Sequence, residues 1–226
     1  MCIRDRALNV GSSFTNEGSL ITESNLEIQN STAGRALAVN NLGLIQAGYG
    51  LRMGTTSQMD LNNGEGATVL AIIGQITTGN LLNRGDIDGT TLTVNTAGLN
   101  NFGLISAARA LNITASDLFN RAGGVIQNAT ANADFAGSID AVGVTNAGTI
   151  NLGRGSAFGR INADRLTNQA GGIIDSRSVQ MSLNVGVKLD NSGTLHGNGR
   201  LEINAPSANT LDIQNQTGGV IEAGND

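Results

Sequence analysis

The stretch VTNAGTINL, residues 144–152, decides the fold because its side chains alternate between two faces. Counted in steps of two, one face carries Val144, Asn146, Gly148, Ile150 and Leu152. Such alternation is typical of a β-strand with one buried face. The buried face holds an Asn and a Gly where apolar side chains are expected, and both recur along the chain.

The Asn is the anchor of a repeat that averages about 22 residues. The ten anchors are Asn16, Asn41, Asn63, Asn83, Asn101, Asn120, Asn146, Asn168, Asn191 and Asn215. In the short form, N-x-G-x-aliphatic, the aliphatic residue stands four positions after the anchor, and in the long form, such as NRAGGVI at 120–126, six positions after. Two added residues preserve parity, so both forms keep anchor and aliphatic on one face. NGEGATV at 63–69 is irregular, because Glu65 occupies the place of the Gly.

A second pattern supports a buried face in every repeat. The residue two before the anchor is apolar in all ten repeats, and short strands of the form L-x-I-x-A recur between anchors. Glycine is too frequent for long helices, since each interior glycine costs a helix about 1 kcal/mol. A repeat this short buries its apolar face only against copies of itself. We therefore predict an all-β, right-handed parallel β-helix (solenoid) of about ten coils of about 22 residues.

The anchor Asn and the following Gly have physical roles in such a solenoid. Stacked carboxamides can donate a hydrogen bond to the next coil and accept one from the previous coil. Asn also tolerates the left-handed backbone that a corner can require. The Gly two residues later allows either a positive φ or a close approach of the neighbouring coil.

The composition narrows the class of protein. The 226 residues include 32 Gly and 28 Asn, with 39% hydrophobic residues and a net charge of −5. The hydrophobic fraction is too high for a typical disordered chain. There is no basic excess and no block of like charge, so nothing indicates nucleic acid binding. The longest apolar stretch, residues 69–73, is too short for a membrane-spanning helix.

The two ends of the sequence differ from the repeats. The first six residues, MCIRDR, resemble a translated sequencing adapter, lack a hydrophobic signal core and carry the only cysteine, Cys2. We expect residues 1–6 to be a non-native leader and residues 7–226 to be a single β-helical repeat array. The last repeat stops at Asp226 without a polar cap, and an uncapped β-helix exposes a sheet edge. We therefore expect an internal fragment of a longer protein.

The repeats N-x-G-x-I and N-x-x-G-G-x-I, interleaved with L-x-I-x-A, resemble the shaft repeats of the filamentous haemagglutinin family over residues 14–223. That family comprises two-partner-secretion exoproteins of Gram-negative bacteria, among them adhesins, haemagglutinins and contact-dependent growth inhibition toxins. The resemblance implies a secreted shaft on the bacterial cell surface, exported through a dedicated outer-membrane transporter. It does not separate an adhesin from a toxin carrier.

One column of outward residues suggests a site. The only histidine, His196, follows an inward leucine and so points outward. The same position on the neighbouring coils holds Asp175 and Glu222, so the three would stack about 4.8 Å apart. This column could form a small metal or acid–base site. The other members of the column are polar and varied, so a solvated face explains it better.

Enzymes with this fold that act on polysaccharides need carboxylates clustered on adjacent coils. Asp60 and Asp117 share a repeat position but lie three coils apart, and the pair Asp86 and Asp88 points to solvent on either side of an inward Ile. Three further carboxylates occupy different repeat positions, namely Asp140, Asp164 and Asp190. No calcium-binding or phosphate-binding glycine motif is present.

Two further surface features are weak indications. Four Asn-x-Ser/Thr triplets match the glycosylation pattern, which chance explains in a chain this rich in Asn and Thr; they begin at Asn30, Asn112, Asn128 and Asn215. Phe102 and Phe119 point outward and could contact a partner, but two aromatic residues do not define a patch.

These observations predict a structural shaft segment of a secreted, surface-displayed adhesin or haemagglutinin-like exoprotein that mediates attachment. We expect no enzymatic activity, no catalytic residue, no metal and no cofactor. The expected partner during export is the outer-membrane transporter. The expected partners in attachment are host glycans or cell-surface proteins. Two alternatives are the stalk of a contact-dependent growth inhibition toxin and a polysaccharide-acting β-helix enzyme.

Overall fold

The computed structural model describes residues 5–31, 35–54, 59–128, 137–206 and 210–224. All regular elements in these ranges are strands. In chain order they are β1 (Asp5–Val10), β2 (Ser13–Asn16), β3 (Ser19–Thr22), β4 (Asn25–Asn30), β5 (Leu37–Asn41), β6 (Leu44–Met53), β7 (Met59–Asn63), β8 (Thr68–Asn83), β9 (Asp86–Asn101), β10 (Leu104–Asn120), β11 (Val125–Asn128), β12 (Gly137–Asn146), β13 (Thr149–Gly155), β14 (Gly159–Asn168), β15 (Ile173–Ser178), β16 (Gln180–Asn191), β17 (Thr194–Gly197), β18 (Arg200–Asn204), β19 (Asp212–Asn215) and β20 (Val220–Ala223). The prediction of an all-β chain is confirmed.

The strands form a right-handed parallel β-helix of about nine turns of roughly 22 residues. Strands before the last described coil pair in parallel with the strand one turn later, as β12 does with β14 and β14 with β16. All ten anchors stand in register, from Asn16 opposite Asn41 to Asn191 opposite Asn215. The ten anchors define nine steps, which accounts for the difference from the ten coils predicted.

The beginning of the chain joins the solenoid earlier than we expected. Residues 1–4, including Cys2, lie outside the described residues. Asp5 and Arg6, which the sequence pattern assigned to the leader, begin β1 and stand in register with Asn25 and Leu26. These two residues therefore extend the first coil.

The stretch at 144–152 has the two faces predicted. All five inward residues are buried, whereas Thr149 and Asn151 on the other face are partly exposed. The chain bends at residues 147–148, so β12 ends at Asn146 and β13 begins at Thr149. The stretch is therefore two strands that share one buried face across a bend.

The core is a stack of apolar side chains, with the same positions contributed by every coil. The aliphatic residue after the anchor is buried in each coil from Ile45 to Leu195. Full burial of such a side chain stabilises the fold by about 1.5–3 kcal/mol. In the last described coil Ile213 and Ile221 are 48% and 37% exposed, because another coil covers them on one side only.

The glycine two residues after a short-form anchor permits a close approach between coils. A Cβ added at Gly148 would lie 2.2 Å from the carbonyl oxygen of Gly124 in the preceding coil. The short-form glycines do not have a positive φ, and among the described residues neither does any residue other than glycine. The left-handed backbone predicted for the anchor Asn is therefore wrong. Asn146 ends β12 with its carboxamide turned inward, and the residues after it make the corner.

In the long form the corner is a β-turn whose third residue is a glycine with positive φ. In NRAGGVI this is Gly123, with φ of 83°, and in NGEGATV it is Gly66, with φ of 71°. A type II turn needs positive φ at its third residue alone, so Glu65 is tolerated as the second residue. Val69 is then buried six residues after Asn63. The motif described as irregular is thus a member of the long form.

Where glycine replaces the leucine of L-x-I-x-A, another side chain occupies the space. Gly137 and Gly159 stand in the same column as Leu111. Leu152 is fully buried beside both glycines. A Cβ at Gly137 would lie 2.9 Å from Leu152 Cδ2, and one at Gly159 would lie 2.3 Å from the Leu152 carbonyl oxygen. The core volume is thus conserved although its residues exchange places.

Candidate functional site

The anchor Asn residues form one continuous amide ladder through the solenoid. The Nδ2 of each anchor donates to Oδ1 of the next anchor at 2.8–2.9 Å, over all nine steps from Asn16 to Asn215. Each Nδ2 up to Asn191 also lies 3.0–3.2 Å from a backbone carbonyl oxygen of the next coil. The predicted donation to the next coil is confirmed.

The ladder satisfies buried polar groups that would otherwise be costly. The anchors from Asn41 to Asn191 are at most 1% exposed. A buried amide without a partner costs about 1–3 kcal/mol, whereas each net hydrogen bond contributes about 1 kcal/mol. Since all rungs donate in the same direction, neighbouring bonds polarise one another. The ladder is therefore a structural device, with its carboxamides turned away from solvent.

The predicted column of Asp175, His196 and Glu222 is in register on three successive coils. His196 Nδ1 lies 2.7 Å from Asp175 Oδ1, and Asp175 Oδ2 lies 3.7 Å from Arg177 Nε. Glu222 is exposed, and within the described part of the chain its side chain makes no hydrogen bond or ion pair. The geometry brings together a histidine–aspartate pair rather than three converging ligands.

Metal-binding groups do not converge elsewhere in the described ranges. Among those residues there is no group of three or more His, Cys, Asp or Glu side chains that could hold a metal ion. The absence of a metal site stays a prediction, which metal-binding experiments can test.

The carboxylates that could serve in catalysis are mostly dispersed. Asp60 is separated from Asp117 by two intervening coils, as predicted, and its Oδ1 accepts from Asn80 Nδ2 at 3.0 Å. Asp88 Oδ1 accepts from the Gly89 backbone N–H at 2.9 Å. Their hydrogen bonds hold these groups to the strand surface.

Asp190 is held to the surface by an ion pair. The Nζ of Lys188 lies 2.8 Å from Asp190 Oδ2. The other oxygen, Asp190 Oδ1, is buried without a hydrogen-bond partner. The cost of this orphaned oxygen makes the pair less stabilising than its short distance suggests.

A second amide ladder runs along the surface in the opposite direction. Asn204 Nδ2 donates to Asn184 Oδ1 at 3.2 Å, Asn184 Nδ2 donates to Asn162 Oδ1 at 2.7 Å, and Asn162 donates to Asp140. An ionised carboxylate only accepts hydrogen bonds. Asp140, at the start of the ladder, therefore fixes its direction.

This surface ladder borders a groove of about 280 Å³ that sequence reasoning missed. The groove brings together Asp140 and Asp164, which lie on adjacent coils, and Ala141 and Ala163 also line it. Asp164 lies at a register shift between β14 and β16, outside the paired positions. The two carboxylates are out of register, as predicted, yet they line the same groove.

A basic and aromatic patch lies on the outward face beside the buried ladder. Arg84, Phe102 and Arg121 each follow an anchor directly, so they stack on three successive coils. The two guanidinium carbons lie 5.6 and 5.9 Å from the Phe102 ring centroid, and that of Arg121 lies 4.8 Å from the centroid of Phe119. Contacts of this kind contribute about 0.5–1 kcal/mol each at exposed sites. We call these four residues the Arg–Phe patch.

The Arg–Phe patch carries positive charge that no carboxylate of the described residues pairs with. Within the described part of the chain, neither Arg84 nor Arg121 forms an ion pair with a carboxylate. Arg121 Nη2 instead donates to Asn100 Oδ1 at 2.8 Å, and Phe102 is 44% exposed. The equal spacing after each anchor could have revealed this stack in the sequence. The two phenylalanines thus lie in a cluster with two arginines, and a contact with a partner stays a prediction.

The glycosylation triplets differ in exposure. Asn112 is exposed, whereas the Asn128 side chain is buried and donates to the Arg109 carbonyl oxygen at 3.2 Å. The hydroxyl residues that complete the triplets of Asn30 and Asn128 lie outside the described residues. Asn215 is exposed, and its Oδ1 accepts from Asn191 Nδ2 at 2.8 Å as the last anchor of the amide ladder among the described residues.

Comparison with protein-family models, with curated proteins and with solved structures gives no match to this chain. The resemblance to filamentous haemagglutinin therefore remains a prediction from the repeats. In the described residues there is no helix long and apolar enough to cross a membrane.

Proposed function

We propose that this chain is a shaft segment of a secreted, surface-displayed bacterial exoprotein of the adhesin or haemagglutinin type. The observation that carries the proposal is the uninterrupted amide ladder from Asn16 to Asn215. The repeated polar group of every coil is bonded to the next coil, so the repeat builds length and stiffness. In a protein of this kind, recognition belongs to outward residues that vary from coil to coil.

The Arg–Phe patch is the described surface best suited to attachment. It combines exposed aromatic area with two guanidinium groups on a chain of net charge −5. Stacking on rings and hydrogen bonds to Asn side chains restrict the arginines, so less conformational entropy is lost on contact. Arg and aromatic residues are enriched among the residues that dominate binding energies. Anionic host glycans or acidic cell-surface proteins are the partners that fit this chemistry.

Binding of the purified chain to host cells and to a glycan array tests this proposal. Phe102→Ala and Arg121→Ala should each weaken binding by about tenfold or more, as the loss of a dominant interface residue does. Arg160→Ala is the matched control, because Arg160 is an exposed arginine that lies outside the patch. Equal binding by all three variants would contradict a role for the patch.

The export route is tested by the complete reading frame and its neighbours. A long array of further repeats beside a gene for an outer-membrane secretion transporter would support the exoprotein proposal. A nuclease or similar toxic domain downstream in the same frame would make the shaft a toxin stalk instead. A short frame without such neighbours would contradict secretion by this route.

The groove beside Asp140 favours a second candidate function, which is cleavage of a polysaccharide by hydrolysis or by β-elimination. Two carboxylates on adjacent coils are the minimum set for general acid–base chemistry on a glycosidic bond. Incubation of the purified chain with uronate-containing and neutral polysaccharides, followed by a reducing-end assay, tests this candidate. Activity that is lost in Asp164→Asn would establish it over the shaft proposal.

A further inference from the structure

The chain contains two Asn-Gly dipeptides, which differ in burial and in hydrogen bonding. They are Asn63–Gly64, in the third repeat, and Asn198–Gly199, between β17 and β18. An Asn followed by Gly is chemically labile, because the backbone nitrogen of the next residue can attack the side-chain carbonyl carbon and Gly offers no Cβ to hinder the approach. The reaction needs a mobile carboxamide and a free backbone nitrogen.

At Asn63–Gly64 both reacting groups are occupied. Asn63 is fully buried, and its Nδ2 donates to Asn83 Oδ1 at 2.8 Å and to the Asp86 carbonyl oxygen at 3.1 Å. The backbone N–H of Gly64 donates to the Asn41 carbonyl oxygen at 2.8 Å. Ring closure would break rungs of the buried ladder and a bond between coils.

At Asn198–Gly199 neither reacting group is held by a hydrogen bond in the described part of the chain. Asn198 is exposed, and its side chain makes no hydrogen bond within the described part of the chain. The N–H groups on either side of Gly199 are bonded, Asn198 to the Ser176 carbonyl oxygen at 2.8 Å and Arg200 to that of Val179 at 2.9 Å. In the same described part of the chain the Gly199 N–H has no acceptor. The turn is thus anchored at both ends while its reactive pair is left free.

We propose that Asn198 is a site of spontaneous, enzyme-free deamidation in the folded protein. The Gly199 nitrogen loses its proton and bonds to Asn198 Cγ, and the side-chain amide leaves as ammonia, which closes a succinimide ring. Water then adds to one of the two ring carbonyl carbons and opens the ring. The products are an aspartyl or an isoaspartyl linkage. One water is consumed and one ammonia is released, with no change in oxidation state.

The modification changes the surface next to Arg200. A neutral amide becomes a carboxylate, so the net charge of the chain goes from −5 to −6. Arg200 Nη2 already lies 2.6 Å from Glu202 Oε1, and its side chain is 68% exposed. The new carboxylate lies two residues along the chain from this guanidinium. The isoaspartyl product also adds one backbone carbon to the turn.

Peptide mapping by mass spectrometry tests the proposal on the folded chain after incubation at mildly alkaline pH. Conversion at Asn198 should exceed conversion at Asn63 by about tenfold or more, because Asn63 reacts only through local opening of the ladder. Isoaspartyl methyltransferase labelling should locate the isoaspartyl product at the same position. In Asn198→Gln the labelling at this position should disappear, whereas any labelling at Asp88–Gly89, which can form the same kind of ring, should not change.

The same chain in concentrated urea supplies the control. There the two dipeptides should convert at similar rates, since the fold no longer distinguishes them. A rate difference that persisted in urea would overturn the proposal, because it would come from local sequence rather than from structure. Conversion at Asn198 no faster than at Asn63 in the folded chain would also overturn it.

Discussion

Replacement of Asn146 by Ala removes one rung from the middle of the buried ladder. Asn146 is fully buried, its Oδ1 accepts from Asn120 Nδ2 at 2.8 Å, and its Nδ2 donates to Asn168 Oδ1 at 2.9 Å and to the Ile173 carbonyl oxygen at 3.1 Å. The variant loses these bonds and leaves the neighbouring rungs facing an apolar methyl group.

The magnitude follows from these contacts. The variant also loses a fourth contact, from Asn146 Nδ2 to the Gly148 carbonyl oxygen at 3.1 Å, which shares the two N–H donors of the same amide. We therefore count three net hydrogen bonds at about 1 kcal/mol each, and a buried acceptor left without a donor adds about 1–3 kcal/mol. Some of this cost is recovered, because Asn120 Nδ2 keeps the Thr149 carbonyl oxygen at 3.1 Å. We expect the free energy of unfolding to fall by roughly 3–5 kcal/mol.

The assay is urea denaturation followed by circular dichroism, with Asn151→Ala as the matched control. Asn151 lies five residues away on the outward face, and its carboxamide makes no hydrogen bond within the described residues. The control should change the free energy of unfolding by less than about 0.5 kcal/mol. Equal effects of the two variants would refute the claim that the ladder holds the coils together.

Two further pairs of variants and one single variant can be tested by the same urea denaturation. Gly148→Ala should cost about 3 kcal/mol or more, because its Cβ meets a backbone oxygen at 2.2 Å, whereas Gly123→Ala, with positive φ but open space, should cost about 1–2 kcal/mol. Ile150→Asp should cost several kcal/mol by burying an unpaired charge, and Thr149→Asp next to it should be nearly silent. Leu152→Ala should cost about 2–5 kcal/mol, because the cavity lies between coils that cannot collapse. A reversed order within either pair, or a silent Leu152→Ala, would contradict the packing described.

The sequence predicted the parts of the fold that depend on parity. Alternation in steps of two correctly placed Val144 and Ile150 inside, and the constant spacing correctly stacked the anchors. The sequence was less informative about the corners between strands, because several types of turn are compatible with the same sequence motif. In NGEGATV the buried residue after the turn is Ala67, and its N–H lies 3.2 Å from the Gly64 carbonyl oxygen, compared with 2.8 Å for Gly124 and Arg121. A slightly opened turn accommodates the extra methyl group.

The surface was harder to predict than the core for a physical reason. Side chains that are neighbours on the solvent face belong to different coils and are about 22 residues apart in the sequence. A local sequence pattern therefore does not show that they are in contact. Phe102 was correctly placed outside, but its two arginine neighbours become evident only when residues are compared down the column. Asp164 stands at a register shift, where no periodic pattern extends to it. The groove it forms with Asp140 therefore required coordinates.

Distances between spin labels down one outward column test the stacking most directly. In a Cys2→Ser background, a label at Gln46 can be paired with labels at Gln127, Asn151 or Glu222, which stand four, five and eight coils further along the same column. The solenoid predicts distances of about 19, 24 and 38 Å, a rise of about 4.8 Å per coil. Distances that did not grow in proportion to coil number would contradict the in-register β-helix.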